Sequence, residues 1–241
     1  MKNMTLRTKL VIEIVIVVVI AAITGAAAYV NDYYHSEDVE SALETTKDVE
    51  VTQIPEGYFF DGSGTEDALI FYPGGKVEVT AYAPLMQQIA AEGMDCFLVK
   101  MPGNLAIFGK NKAQELMVAY DYDHWYLGGH SLGGAMAASY ASSHASELSG
   151  LLLLASYATE DLSDAGFPAL VVVGTKDQVL NRDKYAQYES NLPEDTTVLE
   201  IVGGNHAYYG NYGEQDGDGE ATITREEQQA EVVEALRQAF E

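Results

Sequence analysis

The hydrophobic pattern divides the chain near residue 30. Residues 10–30 are almost wholly apolar, with Glu13 as their only charge, and no charge interrupts 14–30. At about 1.5 Å per helical residue, such a run is long enough to cross a hydrocarbon layer of roughly 30 Å. Past residue 50 the pattern becomes short apolar runs separated by turn residues. Residues 58–60, 68–72, 96–101, 124–128, 151–155, 169–173 and 197–202 read as strands, several of them apolar without alternation. Between them, 81–91, 111–120, 134–141 and 183–190 have helical spacing, and 226–240 closes the chain as an amphipathic helix. Strands that are apolar on both faces, alternating with helices, predict a mostly parallel sheet covered by helices on each side. No internal repeat is visible. The expected organisation is a basic N-terminus at 1–9, a transmembrane signal-anchor at 10–30, a polar stalk at 31–54 and one α/β domain at 55–241.

Within that frame, Gly129-His130-Ser131-Leu132-Gly133 stands between an apolar strand and a helix rich in small residues. A G-x-S-x-G pattern in a strand–turn–helix context is a nucleophile elbow, in which the glycines let the backbone bend and leave the serine hydroxyl clear. A serine nucleophile needs a base and a group to orient that base, following in the order Ser, acid, His after later strands. Asp177 comes just past the 169–173 strand and His206 just past the 197–202 strand. Ligand sites in open α/β sheets form at the carboxyl ends of the strands, so the three residues are expected to converge. Asp161 and Asp164 are the competing acids, placed after the preceding strand.

The oxyanion of an acyl-transfer intermediate needs two backbone N–H donors. One is expected from Leu132, the residue after the nucleophile, and one from the loop Pro73-Gly74-Gly75-Lys76. Gly75 is the preferred second donor and Gly74 the alternative. Met101, Asn104 and Tyr208 are the expected substrate-contacting residues. His130 is expected to pack beside the site. No pair of histidines has metal-ligand spacing, and neither a metal nor a cofactor is expected. Glu214, Asp216 and Asp218 imitate the start of a calcium loop, but Arg225 stands where a bidentate Glu is required.

Charge narrows the partners. With 37 Asp and Glu against 13 Lys and Arg, the chain carries a formal charge of −24, which argues against nucleic acid or an anionic lipid surface as a partner of the domain. Around the apolar run the balance is asymmetric. Lys2, Arg7 and Lys9 precede it, while Asp32, Glu37, Asp38 and Glu40 follow, which places the domain outside the membrane. The alternative is secretion after cleavage near Ala28, since Ala26-Ala27-Ala28 supplies an A-x-A site. Cys96 is the only cysteine, in a segment that reads as a core strand, so no intrachain disulfide forms.

Taken together, the blocks Phe71-Tyr72-Pro73-Gly74-Gly75-Lys76, Leu98-Val99-Lys100-Met101-Pro102, Gly128-Gly129-His130-Ser131-Leu132-Gly133-Gly134 and Gly203-Gly204-Asn205-His206 resemble the α/β-hydrolases. In particular they resemble the small membrane-anchored bacterial members of the dienelactone-hydrolase-like group. The resemblance spans roughly residues 55 to 240 and implies Ser131, Asp177 and His206 as a triad. Dienelactone hydrolases proper use cysteine as nucleophile where this chain has Ser131, so their substrate does not carry over. The connection from residue 156 to 168 is too short for a cap domain. The expectation is an extracytoplasmic, membrane-anchored serine hydrolase of carboxylesterase type acting on a small-molecule ester. An acyltransferase using the same triad, or a catalytically silent envelope binding protein on the same fold, are the alternatives.

Overall fold

A computed structural model describes residues 6–240. The basic Lys2 lies outside the described residues. The chain divides into two compact units, residues 1–33 and 34–241.

The first unit contains α1 (Leu6–Asn31), 26 residues long with no buried side chain. It is long and apolar enough to cross a membrane. Two of its polar side chains bond to the helix itself: Thr24 Oγ1 donates to the Ile20 carbonyl at 2.8 Å, and Asn31 Nδ2 to that of Ala27 at 2.8 Å. Such internal pairing is what a polar group in a hydrocarbon environment requires.

The second unit is built on one eight-stranded sheet. In chain order its elements are β1 (Glu50–Ile54), β2 (Gly57–Asp61), β3 (Asp67–Tyr72), α2 (Ala83–Ala91), β4 (Asp95–Val99), α3 (Lys112–Ala119), β5 (His124–His130), α4 (Leu132–His144), β6 (Gly150–Leu154), β7 (Ala169–Gly174), α5 (Arg182–Gln187), β8 (Thr196–Ile201) and α6 (Arg225–Phe240). The strand order is β1-β2-β4-β3-β5-β6-β7-β8. β2 runs antiparallel to β1 and β4, and every pairing from β4 to β8 is parallel.

Side chains alternate across a strand, so a strand between two helical layers must be apolar at every position. β3 shows the result. Leu69 and Phe71 enter one core with Leu85, Met86 and Ile89 of α2 and Val232 and Leu236 of α6. Ala68, Ile70 and Tyr72 enter the other with Ala113 and Leu116 of α3 and Ala137, Ala138 and Ala141 of α4. Fully burying a side chain such as Leu69 or Ile70 contributes about 1.5–3 kcal/mol. β8 has one partner and stays largely open, with Val198 exposed.

The stalk expected at 31–54 is not one beyond residue 33. Tyr34 forms a parallel bridge with Val77, a 3₁₀ turn covers Glu40–Leu43, and β1 extends the sheet. Val39, Ala42 and Val49 are buried, so three apolar positions in a polar segment are enough to fold it onto the domain. Residues 156–168, between β6 and β7, contain no helix or strand, consistent with an uncapped edge.

Candidate active site

The strand ends bring the expected residues to one edge. Ser131 sits between the end of β5 and the start of α4 with φ 52° and ψ −119°. A non-glycine residue in that region costs on the order of 1–3 kcal/mol, and surrounding contacts must hold it there. The Ser131 amide donates to the Leu154 carbonyl at 2.9 Å, and its carbonyl accepts from Ser156 Oγ at 2.8 Å. Neighbouring β6 and the residues after it thus fix the turn. The flanking glycines are sterically required. A Cβ on Gly133 would lie 2.1 Å from the Tyr72 carbonyl oxygen, and one on Gly129 2.5 Å from the Gly133 carbonyl carbon.

Asp177 and His206 follow β7 and β8. His206 Nδ1 lies 2.9 Å from Asp177 Oδ2, and both side chains are buried. The other carboxylate oxygen accepts the amides of Val179 (2.9 Å) and Leu180 (2.8 Å). Burial alone pushes the Asp177 carboxyl up. The His206 ring and these two amides outweigh it and hold the carboxyl below its ordinary value, so it is ionised at neutral pH. An ionised Asp177 accepts the Nδ1 proton and leaves His206 Nε2 as the basic nitrogen.

Residues that the sequence pattern did not single out position the His206 loop. Gln228 of α6, fully buried, accepts the Asn205 amide at 3.0 Å and donates to the Asn205 carbonyl at 2.9 Å. Asp218 accepts the amide of Ala207 at 2.9 Å and that of Gln178 at 3.3 Å, which ties the His206 loop to the Asp177 loop. Asp161, the competing acid, is exposed and accepts instead from the amide and hydroxyl of Ser163.

The two candidate second donors for an oxyanion separate clearly. The Gly74 amide donates to the Tyr82 hydroxyl at 3.0 Å, and that hydroxyl is hydrogen-bonded to His130 Nδ1 at 2.7 Å. Gly74 is therefore committed inward. The Gly75 amide has no acceptor among the described residues. Its backbone rests against Leu132, since a Cβ there would come within 2.9 Å of Leu132 Cδ2. The loop is held from its far side, where the Lys76 amide donates to the Asn104 carbonyl at 2.7 Å and its carbonyl accepts from Tyr34 at 2.8 Å.

His130 packs behind the site. It is buried, with its ring centroid 4.6 Å from that of His206, and its Nε2 has no partner among the described residues. Burial, with the adjacent His206 ring adding to it, drives its pKa well below the ordinary value, so His130 is neutral.

A cavity of about 260 Å³ opens on Ser131 and His206, walled by Leu132, Ala135, Ala155, Ser156, Tyr157, Val179, Leu180 and Asn181. None of these walls is charged. The expected contacts Met101, Asn104 and Tyr208 do not line it. Met101 lies in the core between sheet, α3 and α4, and the Asn104 carbonyl is taken by Lys76. Tyr208 lies under Arg225, 5.0 Å from ring centroid to guanidinium, and lines a separate polar cavity with Asn205, Glu214 and Asp218. Sequence order could have indicated Val179–Asn181, just past Asp177 at the end of β7, and Tyr157, just past the end of β6.

Residues 68–230 match the alpha/beta hydrolase family. No curated protein matches the sequence. Among solved structures, one from Agrobacterium vitis S4, assigned as a hydrolase, is similar over 81% of this chain and 100% of its own, with 13% identity and a TM-score of 0.59. A CIB-like protein of Thermoplasma acidophilum, also assigned as a hydrolase, is similar over 79% of this chain and 99% of its own, with 14% identity and a TM-score of 0.61. At these identities the likeness is one of fold.

Proposed function

The chain belongs to the alpha/beta hydrolase family, and from that premise we propose that it is a serine ester hydrolase of carboxylesterase type, anchored by α1 with its domain outside the membrane. The observation that carries the chemistry is the buried His206–Asp177 pair, 2.9 Å apart, whose ring lines one cavity with a serine held at φ 52°. Ser131 Oγ attacks the ester carbonyl and gives its proton to His206 Nε2. The amides of Leu132 and Gly75 stabilise the resulting oxyanion, each contributing about 3 kcal/mol. Collapse of the intermediate expels the alcohol, which takes the proton from His206. Water then attacks the acyl-enzyme by the same route and releases the acid. Asp177 keeps the imidazole in its reactive tautomer and stabilises the imidazolium.

Oxygen rather than sulfur is the nucleophile in this reading. The resemblance to the dienelactone-hydrolase-like group stops at that atom, because Cys96 is buried in β4 and its thiol is pushed up by that burial. The uncharged cavity wall favours a neutral ester, and the net charge of −24 disfavours an anionic one. The anchor reading rests on the length and apolarity of α1 and on the basic residues before it and acidic residues after it.

A fluorophosphonate probe is expected to label the purified protein covalently, and Ser131→Ala to abolish the label. Absence of labelling, or equal labelling of the variant, would overturn the serine mechanism.

A further inference from the structure

We propose that the loop between β4 and α3, residues 100–112, is a docking surface for an anionic lipid bilayer, which brings the edge bearing Ser131 to the lipid surface. The inference rests on the anchored reading of α1 but not on the chemistry at Ser131.

Three observations carry it. The first is charge. In a chain with 37 carboxylates, residues 96–114 contain none, while Lys100, Lys110 and Lys112 fall within them. This stretch is positive within a strongly negative chain, with Glu56 beside Lys100 and Glu115 in the first turn of α3 as flanking acids, so an anionic surface is repelled least here. The second is exposure. The tip carries Ile107 and Phe108, which are 57% and 67% exposed, and Phe108 is the one exposed aromatic among described residues 34–240. An apolar pair flanked by lysines has the composition of an interfacial anchor, with the rings and branched chains entering the acyl boundary and the ammonium groups meeting the headgroup phosphates. The third is connection. Asn104 of this loop accepts the Lys76 amide, and the Lys76 carbonyl accepts from Tyr34. Only Asp32 and Tyr33 lie between Asn31, where α1 ends, and Tyr34. Two residues therefore separate the end of α1 from the residue that bonds to the loop holding Lys76.

Each lysine near an anionic surface changes partitioning by roughly fivefold, and the attraction is screened within a few ångströms at about 1 M salt. The test uses the full chain with Phe108→Trp, reconstituted into vesicles whose acyl chains are brominated, with Val118→Trp as the control. Val118 is 78% exposed on α3, and native Trp125 is buried, so each new indole is read against the parent. Emission from position 108 is expected to be quenched in phosphatidylglycerol-containing vesicles, less in pure phosphatidylcholine, and relieved by high salt or by Lys100→Glu with Lys112→Glu. Position 118 is expected to stay unquenched throughout. Equal quenching at 108 and 118, or equal quenching of 108 in neutral and anionic vesicles, would overturn the proposal. Flotation with neutral vesicles reports on α1 alone, and fluorophosphonate labelling on Ser131 alone, so failure of either is distinguishable from failure of the docking loop.

Discussion

His130 should make the domain lose stability as pH falls below the ordinary histidine range. Its ring is 1% exposed, is hydrogen-bonded to the Tyr82 hydroxyl at Nδ1 and lies 4.6 Å from the His206 ring, with nothing negative bonded to it. In the unfolded chain it takes up a proton near pH 6.5. In the folded chain burial and His206 hold it neutral to well below that. The unfolded state then binds the extra proton, so stability is fully present above about pH 6.5 and falls as pH drops below it. One proton is worth up to about 1.4 kcal/mol per pH unit, over the range between the unfolded and the lowered folded value. Asp177 contributes in the opposite sense of shift. Its depressed carboxyl adds stability above the ordinary carboxylate range that is lost only as pH falls through about 4 and below. The informative variant is His130→Gln, which keeps a hydrogen-bonding group for Tyr82 and cannot titrate. Denaturant unfolding from pH 7 to 5 should show a stability loss in the parent that is absent from the variant, whatever the variant's starting stability. Parallel pH dependences for the two proteins would refute a neutral, buried His130.

Two further expectations concern the reaction. Asp177→Asn should lower kcat for a neutral ester on the order of 10⁴-fold by stabilising the wrong His206 tautomer, whereas Asp161→Asn, exposed and bonded only to Ser163, should leave turnover as it was. Comparable losses in both would mean that the acid is misassigned. Gly75→Ala would drive a Cβ to 2.9 Å from Leu132 Cδ2 and displace the proposed oxyanion donor. Its kcat should fall about 10²–10³-fold with KM little changed, and circular dichroism should show the fold intact. A wild-type kcat would remove Gly75 from the oxyanion hole.

The fold was legible because parallel strands covered on both faces must be apolar throughout, and β3, β6 and β7 announce themselves that way. The candidate residues Ser131 and Asp177 follow β5 and β7 closely, whereas His206 follows β8, which is open on one edge and mostly exposed, and was placed by the required order of the three. What decided the rest was side-chain geometry across long separations. Gln228 reaches Asn205 over 23 positions, and no local pattern marks either as a partner. Gly74 and Gly75 are identical as letters, and the Tyr82 hydroxyl alone distinguishes them. The Met101 expectation was correctable in advance. Phe97 and Val99 share the period-two face of β4, Met101 continues that spacing just past its end, and all three enter the same core. Residues 34–54 were misread because Val39, Ala42 and Val49 are too sparse to make a periodic signal, although each is buried.

Net charge is the property most easily misapplied to this chain. A total of −24 is a sum over the whole sequence, but a surface responds to charges within about a Debye length, roughly 8–10 Å at ordinary salt. The stretch 96–114 that holds Phe108 supplies three lysines and no carboxylate, while the acidic remainder of the chain repels the same bilayer. The two effects do not cancel. Repulsion elsewhere removes the competing orientations, and attraction at 100–112 selects one, so strong global acidity sharpens the preference for a single basic loop. High salt should therefore weaken the orientation of the domain while leaving its attachment through an apolar helix untouched, because burial of apolar side chains, unlike ion attraction, is not screened.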